Sequence, residues 1–556
     1  MGHGGVQAPG RLRRAEPERA GPGEYRNVLR EPRKRETCAW PGEGPAAAAR
    51  LRALAVAHGR DGTWEAPLAP GPDEIRPRAA DENPGVPAGY TYLLQLAGHD
   101  ILHSSLAFPA LRPGEPSRLR NLRTLRLDLD TIYGRGPTAD PIAYAVDRPD
   151  DALRSRFRLA LAEPAGPRGP GCPAGRDLGR GRDWGDGPRP GPTDAFVADP
   201  RNDDNGLLSQ TATLFMMLHG ALHDAVLDAM PTADGSGAPL PAMTVREAAF
   251  AATRLLVERA WRRILRHDLL PRLLDPAVLE AWAGGARLQP GGLGGAMPLE
   301  LSHGVLRTPH VMVRGAYRLR QGAKPFPVEE VLRQSSRRRL DRLPARADWT
   351  VQWSCLYAIP GLPEPQLARR IGPSQPRRLD GTQPRLPNDP AGAPEPLVKV
   401  DHVRGAQAEL WAVEPLIAAL PKDLRAIPGL GAGTAAREAR TAPLRRWLTR
   451  HIPHPFEQPE AEALLADPPL RLFVEVEAMG AHDGRRFGPL GSALLAELFF
   501  EALGAETPEG DALAERLAAA APEHAETFRK AEAVRDMPAL LRFLAPYAAP
   551  SGVPFL

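Results

Sequence analysis

The chain has 556 residues, of which 25% are charged and 42% hydrophobic, a balance typical of folded domains and not of disordered chains. Its formal net charge of +4 is small for this length, so the bulk charge does not point to nucleic acid or an anionic membrane as a partner. Three cysteines are too few for a disulfide framework. Neither a Sec-type signal nor a membrane-spanning apolar run is recognisable, so we expect a cytoplasmic protein or one exported by another route.

Three stretches rich in Gly, Pro and Arg interrupt the rest of the chain. Residues 1–50 lack apolar periodicity and are predicted to form a disordered or loosely attached arm. Residues 164–192 offer few side chains to bury and are predicted to form an exposed loop. A third, weaker Pro-rich stretch covers residues 371–396. The remainder, residues 51–556, is predicted to be one large domain with long loops.

Apolar residues recur at helical spacing in several segments. The predicted helices cover residues 90–106, 207–230 and 245–270, and Thr244 is a candidate N-cap of the third. The stretch 467–504 holds two more helices separated by a Gly-rich turn. Because alternation typical of strands is scarce, the sequence predicts a mainly α fold.

The first predicted helix carries polar residues in an apolar setting. Gln95 and His99 are four residues apart and project from one face, whereas Asp100 points about 100° away. A histidine on an apolar helix is most often a satisfied core residue. His99 and His103 also form an i, i+4 pair that resembles a zinc-hydrolase motif, but Asp100 is shorter than the usual glutamate and no third ligand is evident.

A second polar pattern follows this helix. Asp128 and Asp130 alternate with apolar residues after Thr124 and before a Tyr-Gly turn. A short extended loop can present carboxylates, a hydroxyl and carbonyls together, as calcium requires. The alternative interpretation is a solvated turn without a metal.

Further segments complete an ordered set. ADPRNDDNGLLSQTATLFMMLHGALHDA begins at Ala198, and MPLELSHGVLRTPHVMVRGAYRL begins at Met297. Together with QLAGHD and RTLRLDLDTIYG, these segments resemble the animal-type haem peroxidase superfamily, and within it the bacterial peroxinectin-like branch. The stretches at residues 348–373 and 470–497 also resemble bacterial members. The resemblance covers about residues 80–505 in the family's order and implies a single, mainly α, haem-peroxidase-type domain.

The resemblance assigns catalytic and haem-binding roles by position. It implies that His99 is the distal base, with Gln95 beside it in the haem pocket, and that Arg201 is the distal arginine. It implies that His310 is the proximal iron ligand and that Arg307 lies near a haem propionate. A neutral imidazole can move a proton between the two peroxide oxygens, and a fixed guanidinium stabilises the charge that develops as the bond breaks.

The resemblance also implies a calcium site next to the distal helix. Its expected ligands come from the first helix and the following loop: Asp100, Thr124, Arg126 through its carbonyl, Asp128 and Asp130. Since Asp100 adjoins the distal base, an ion here would fix the helix that aims it.

Several positions depart from the family pattern. Some members attach haem through an aspartate before the distal histidine and a glutamate after the distal arginine; these positions are Gly98 and Asp204 here. We therefore expect non-covalent haem b, or at most one bond through Asp204. The proximal histidine's usual asparagine partner, in an R-N-L-x-R-G context, is not recognisable, and Arg446 stands where the best local alignment would place it.

One further departure favours one activity within the superfamily. Cyclooxygenases and fatty-acid dioxygenases place a tyrosine three residues before the proximal histidine, and this position is Arg307. The sequence therefore predicts a peroxidase that reduces hydrogen peroxide and oxidises small donors such as phenols or halides. The alternative is a catalytically weak relative with a binding or adhesion role, motivated by the missing asparagine. Zinc hydrolysis is the third hypothesis.

Overall fold

Helices form most of this protein, as a computed structural model of the chain shows. The structure describes residues 23–42, 46–47, 49–51, 53–54, 57, 66–67, 75–76, 79–104, 120–145, 155–160, 175–180, 194–336, 349–376, 379, 397–450, 458–504, 508–548 and 553–556. Within these residues the mainly α prediction is confirmed.

Seventeen α-helices lie in the described part of the chain. In order they are α1 (Gly89–Ile101), α2 (Asp130–Tyr133), α3 (Gly206–Asp228), α4 (Ala242–Ile264), α5 (Leu270–Leu273), α6 (Pro276–Ala283), α7 (Leu299–Ser302), α8 (Val328–Leu332), α9 (Leu397–Gln407), α10 (Val413–Ala419), α11 (Thr434–Arg450), α12 (Gln458–Ala466), α13 (Leu470–His482), α14 (Pro489–Leu503), α15 (Pro508–Ala520), α16 (Ala525–Glu532) and α17 (Met537–Leu544). Two 3₁₀ segments matter for the site, Pro200–Asp203 and Val305–Met312.

The described strands are short. They are β1 (Gly23–Arg26), β2 (Ala66–Pro67), β3 (Ile75–Arg76), β4 (Glu82–Pro87), β5 (Arg120–Asn121), β6 (Tyr144–Ala145), β7 (Arg156–Phe157), β8 (Met297–Pro298), β9 (Ala316–Tyr317), β10 (Phe326–Pro327) and β11 (Leu367–Arg369). The one three-stranded sheet among the described residues has the order β5-β1-β8, with β1 antiparallel to β5 and parallel to β8. The other strands pair in twos.

The long helices occur where the apolar periodicity predicts them, with small differences at the ends. Helix α3 begins after Asn205, whose side chain accepts hydrogen bonds from the first free backbone N–H groups of the helix. The prediction of Thr244 as N-cap is wrong, because α4 begins two residues earlier and its N-cap position is Pro241. A π-helical turn, Leu265–Leu269, follows α4. The two helices predicted within 467–504 are α13 and α14.

The core surrounds helix α1, which packs against α3, the 3₁₀ segment 200–203 and the 3₁₀ segment 305–312. Helix α4 packs along α3 on the other side, and α13 contacts both α14 and the segment 305–312. Segments far apart in the sequence thus meet around one short helix. None of the described helices is long and apolar enough to span a membrane.

Part of the predicted N-terminal arm belongs to the fold. Residues 23–42 contain β1, and the buried Glu300 carboxylate accepts a hydrogen bond from the Val28 backbone at 2.7 Å and from the Asn27 side chain at 2.8 Å. The Trp411 indole donates to the Arg30 carbonyl at 3.2 Å. For this part of residues 1–50 the structure corrects the expectation of a loose arm; residues 1–22 lie outside the described residues.

The predicted exposed loop is also corrected in one part. Within 164–192 the described residues are 175–180, and Arg176, Asp177, Leu178 and Arg180 are all buried. Arg180 compensates its burial through an ion pair with Asp203 at 2.8 Å. The remaining residues of that stretch, and residues 377–378 and 380–396 of the third one, lie outside the described part of the chain.

Candidate cofactor site

Helix α1 is buried except for one stripe. Its partly exposed positions are Gln95, Gly98 and His99, and Leu102 follows at the C-cap. Spacings of three and four place these residues on one helix face. A Cβ atom added at Gly98 would meet no atom within 4 Å, so this face borders open space. The predicted distal histidine therefore lies on the one face of its helix that the other described residues do not fully cover.

His99 is oriented through Nδ1, which lies 3.2 Å from the Asn202 side-chain oxygen. The Asn202 amide nitrogen in turn donates to the Thr131 carbonyl and hydroxyl, both at 3.0 Å. With Nδ1 as the donor, Nε2 is left as the acceptor, and no described residue hydrogen bonds to it. Burial, assisted by the nearby Arg201 charge, lowers the pKa of His99 to about 3. The imidazole is therefore neutral and able to accept a proton above that pH.

Arg201 lies beside His99 and is bound mainly by the protein. Its guanidinium forms an ion pair with the buried Asp199 at 2.6 Å and donates to the His99 carbonyl at 2.9 Å and to the Leu102 carbonyl. One of its five N–H groups has no partner among the described residues. Arg201 thus stabilises the last turn of α1 and brings a positive charge to the distal side. The sequence predicts this charge but not its Asp199 partner.

The proximal segment takes its shape from two residues. Gly304 precedes it, and a Cβ atom there would lie 2.4 Å from the Glu300 carbonyl oxygen, so only glycine fits. Pro309 lies inside the segment and cannot donate a backbone hydrogen bond, which is consistent with a 3₁₀ and not an α-helical turn. His310 follows, with its side chain 32% exposed.

The His310 imidazole has an acidic partner. Its Nδ1 lies 2.8 Å from Asp401 Oδ2, and Arg471 Nη1 donates to the same oxygen at 2.7 Å. Although burial alone would raise it, the charges of His310 and Arg471 hold the pKa of Asp401 below its usual range. Asp401 is therefore ionised, and a hydrogen bond from Nδ1 to it leaves His310 Nε2 able to donate its lone pair to a metal.

This partner was missed in the sequence, although a signal was present. Residues 400–405 read V-D-H-V-R-G on helix α9, which keeps only the final Arg-Gly of the family pattern R-N-L-x-R-G and has Asp401 at the position of the asparagine. The suggestion that Arg446 stands at this position is wrong, because the structure places Asp401, and not a residue of α11, against His310.

Arg307 and Arg404 form a cationic corner near the proximal histidine. The Arg307 Nε donates to the Ser302 carbonyl at 3.0 Å, whereas its terminal nitrogens have no hydrogen-bond partner among the described residues. Burial and the nearby Arg307 lower the pKa of Arg404 to about 10. Two guanidinium groups this close favour an anionic ligand such as a carboxylate.

The strand β1 brings Tyr25 to the same corner. Its ring lies edge-on to His303, with centroids 6.0 Å apart, and its buried hydroxyl lies near the Ser104 side chain. Burial raises the pKa of Tyr25 to about 12, although Arg307 and Arg201 lie close enough to oppose this shift. Tyr25 is thus near both Arg201 and Arg307. A buried hydroxyl close to two arginines is a further group that could donate to a carboxylate ligand.

Two other predicted site residues have weaker connections. The Gln95 side-chain oxygen lies 3.5 Å from the Asn205 amide, so Gln95 faces the start of α3. Asp204 is half-buried at the end of the 3₁₀ segment 200–203. Their roles in a haem pocket stay predictions.

Some of the predicted calcium ligands already have partners within the protein. Asp100, Asp128 and Asp130 lie near one another, but Asp130 forms an ion pair with Arg254 at 2.9 Å. No three His, Cys, Asp or Glu side chains in the described part of the chain are arranged to hold a metal ion. The calcium site therefore stays a prediction, which the described contacts do not support, and the zinc hypothesis, which includes His99 and His103, gains no support either.

Thr124 and Arg126 are the other two predicted calcium ligands. The Thr124 hydroxyl is buried without a hydrogen-bond partner among the described residues, and the Arg126 residue is exposed. Neither is tied to the three aspartates by a described hydrogen bond.

The haem prediction is consistent with the donor set. Partly exposed His99 and His310 each present a free Nε2, and Arg307 with Tyr25 offers polar groups for carboxylates. A separate cavity of about 20 Å³ lies behind Asp401, large enough for a water molecule and far too small for a porphyrin. The fit to haem therefore comes from the side chains of the two segments.

Similarity to known proteins is found in the structure of this chain and not in its sequence. The sequence matches no protein-family model and no curated protein. Among solved structures, peroxidase A from Dictyostelium discoideum is similar with a TM-score of 0.50 and 12% identity, over 94% of both chains. Fatty acid alpha-dioxygenase from Oryza sativa gives a TM-score of 0.49 and 11% identity, over 90% of this chain and 80% of that one.

The described fold is therefore similar to that of peroxidase A, and at 12% identity the likeness concerns the fold alone. Membership of the animal-type haem peroxidase superfamily, which the sequence suggests, stays a prediction. The bacterial branch suggested by the sequence stays a prediction.

Proposed function

We propose that this protein is a haem-dependent peroxidase that reduces hydrogen peroxide and oxidises small donors such as phenols or halides. The observation that carries the proposal is the pair of oriented histidines, His99 held by Asn202 and His310 held by Asp401. These partners fix one ring nitrogen of each histidine and leave the other for a ligand. Helix α1 and the segment 305–312 pack against each other, which supports assigning both histidines to one region of the fold.

The proximal side would bind the cofactor. His310 would bind the haem iron, and Arg307, Arg404 and Tyr25 would receive the carboxylates of the haem. When bound, haem supplies the redox-active iron at which peroxide is reduced. An ionised Asp401 increases the electron donation of the His310 imidazole, which favours cleavage of the O–O bond.

On the distal side, His99 and Arg201 would act on hydrogen peroxide. Neutral His99 would take a proton from one oxygen of hydrogen peroxide and return it to the other, which would leave as water when the O–O bond breaks. The remaining oxygen would be reduced to a second water by two protons and by two electrons from the donor, with the bound haem supplying the redox chemistry. The positive charge of Arg201 stabilises the negative charge that develops between the two peroxide oxygens. Arg201 keeps one N–H for this purpose, while its other donors stabilise helix α1.

The test is to purify the protein with haem and measure phenol oxidation with hydrogen peroxide. We expect a Soret band, peroxide-dependent turnover and no oxygen uptake with a fatty acid as sole substrate. The last expectation rests on Arg307, which occupies the place of the tyrosine used by fatty-acid dioxygenases. Haem binding without turnover would instead favour the alternative of a binding or adhesion protein. Fatty-acid-dependent oxygen uptake would favour a dioxygenase.

The haem is expected to be non-covalent. Gly98 has no side chain to form an ester, so Asp204 is left as the one predicted attachment point. Extraction with acidified acetone should therefore remove the haem from the denatured polypeptide. Complete retention would contradict this, and retention abolished by Asp204→Ala would identify a single bond.

A further inference from the structure

The loop that follows β5 is attached to the distal helix through Asp100. This fully buried carboxylate accepts hydrogen bonds from the Leu129 backbone N–H at 2.9 Å and the Thr131 backbone N–H at 3.3 Å. The buried indole of Trp261, on helix α4, donates to it at 3.3 Å. Because Asp100 is next to His99, the position of this loop bears directly on the position of the distal base.

Helix α4 supplies further donors to the same loop. Arg254 Nη2 lies 2.9 Å from Asp130 Oδ1 and 3.3 Å from the Asp128 carbonyl oxygen. Arg262 Nε donates to the Leu127 carbonyl at 2.9 Å. In these three bonds, oxygen atoms of the loop accept from arginine N–H groups of helix α4.

Arg254 is itself firmly held. Its Nε donates to Glu258 at 2.7 Å, one helical turn along α4, and its guanidinium lies over the Tyr133 ring at 5.0 Å from the centroid. The side chain is only 22% exposed. A planar guanidinium with an acidic partner on two sides is a rigid, permanently charged group.

This arrangement is opposed to calcium binding. Calcium needs six to eight oxygen ligands turned toward a common centre, typically including several carboxylates. Here the Asp130 carboxylate and the Asp128 carbonyl point to a guanidinium, and the Asp100 carboxylate points to N–H groups. An ion bound through Asp100 and Asp130 would have to compete with these donors.

We propose that helix α4 replaces a metal ion in this protein, with Arg254 as the fixed cation that holds the loop 127–131 against the distal helix. Arg254 is a positioning residue, acting through the loop and Asp100 on His99. The inference does not depend on the proposed peroxidase function, since it concerns how the loop is held and not what the site does.

The full-length protein provides the first test, by metal analysis and thermal unfolding. We expect less than one calcium per ten chains and the same melting temperature in excess EDTA and in excess calcium chloride. One tightly bound calcium per chain, lost in EDTA together with a fall in melting temperature, would overturn the proposal.

Variants on one helix provide the second test. Arg254→Gln should lower the melting temperature by about 5 °C or more, because it leaves the loop carboxylates without their cation. Arg254→Lys, which keeps the charge, should recover part of this loss. The matched control is Arg259→Gln, which removes another α4 arginine whose ion pair is with Glu532 at 2.9 Å.

The effect of calcium on the melting temperature distinguishes a role of the Arg254 charge from a role of its packing. In Arg254→Gln the loop oxygens are freed, and excess calcium should raise the melting temperature of this variant but not that of Arg259→Gln. An Arg254→Gln protein as stable as the wild type would contradict the proposal. If that variant does not fold, metal analysis of the wild type still decides the question.

Discussion

Replacing His99 by leucine is expected to slow peroxide consumption by about 10²–10⁴-fold, the usual contribution of a positioned base. The imidazole that Asn202 orients has a pKa lowered to about 3, so it is neutral and available across the working pH range. Leucine cannot accept a proton. Stopped-flow measurement of peroxide reduction by the haem-loaded protein would give the rate.

The control for this variant is a histidine elsewhere in the fold. His482→Gln removes an imidazole at the end of α13 whose Nε2 lies 2.7 Å from Asp275, and it should leave the rate within a few-fold of the wild type. An unchanged rate in His99→Leu, with the Soret band intact, would refute the distal role. Equal losses in both variants would point to a general effect on the fold.

Replacing His310 by alanine is expected to abolish axial ligation, seen as a shifted Soret band and weakened haem retention on gel filtration. The structure offers no second histidine bonded to Asp401 in the described chain, so no neighbour is in place to substitute. Ligation and stability can be separated by adding imidazole, which should restore the band if the cavity is intact. A Soret band identical to that of the wild type would refute the proximal role.

Asp401→Asn is a milder variant, which changes the hydrogen-bond partner of His310 and keeps the histidine itself. It keeps a hydrogen-bond acceptor for His310 but removes the negative charge that Arg471 and His310 share. Haem should be retained, and the iron midpoint potential should rise, with about 59 mV corresponding to each tenfold change in relative binding of the two oxidation states. Glu475→Gln alters the carboxylate that accepts a hydrogen bond from Arg471 Nε, and it should have a smaller effect on the potential. A potential that is unchanged or lower would contradict the role given to Asp401.

Local patterns in the sequence were sufficient for several parts of this structure. Helix α1, with His99 on its partly exposed face, and helices α13 and α14 follow from apolar residues at spacings of three and four. Such spacings act within one helix and require no knowledge of the rest of the chain. The ordered set of segments likewise led to the correct fold, which no single segment would have specified.

Partners distant in sequence were decided only by the tertiary structure. Asp401 is 91 residues from His310, and Arg254 is 124 residues from Asp130. No spacing along the chain implies either contact, so Arg254 was not foreseen beside the predicted calcium ligands and the proximal partner was missed. These contacts depend on how helices α9 and α4 pack, and packing brings together charges that local periodicity does not relate.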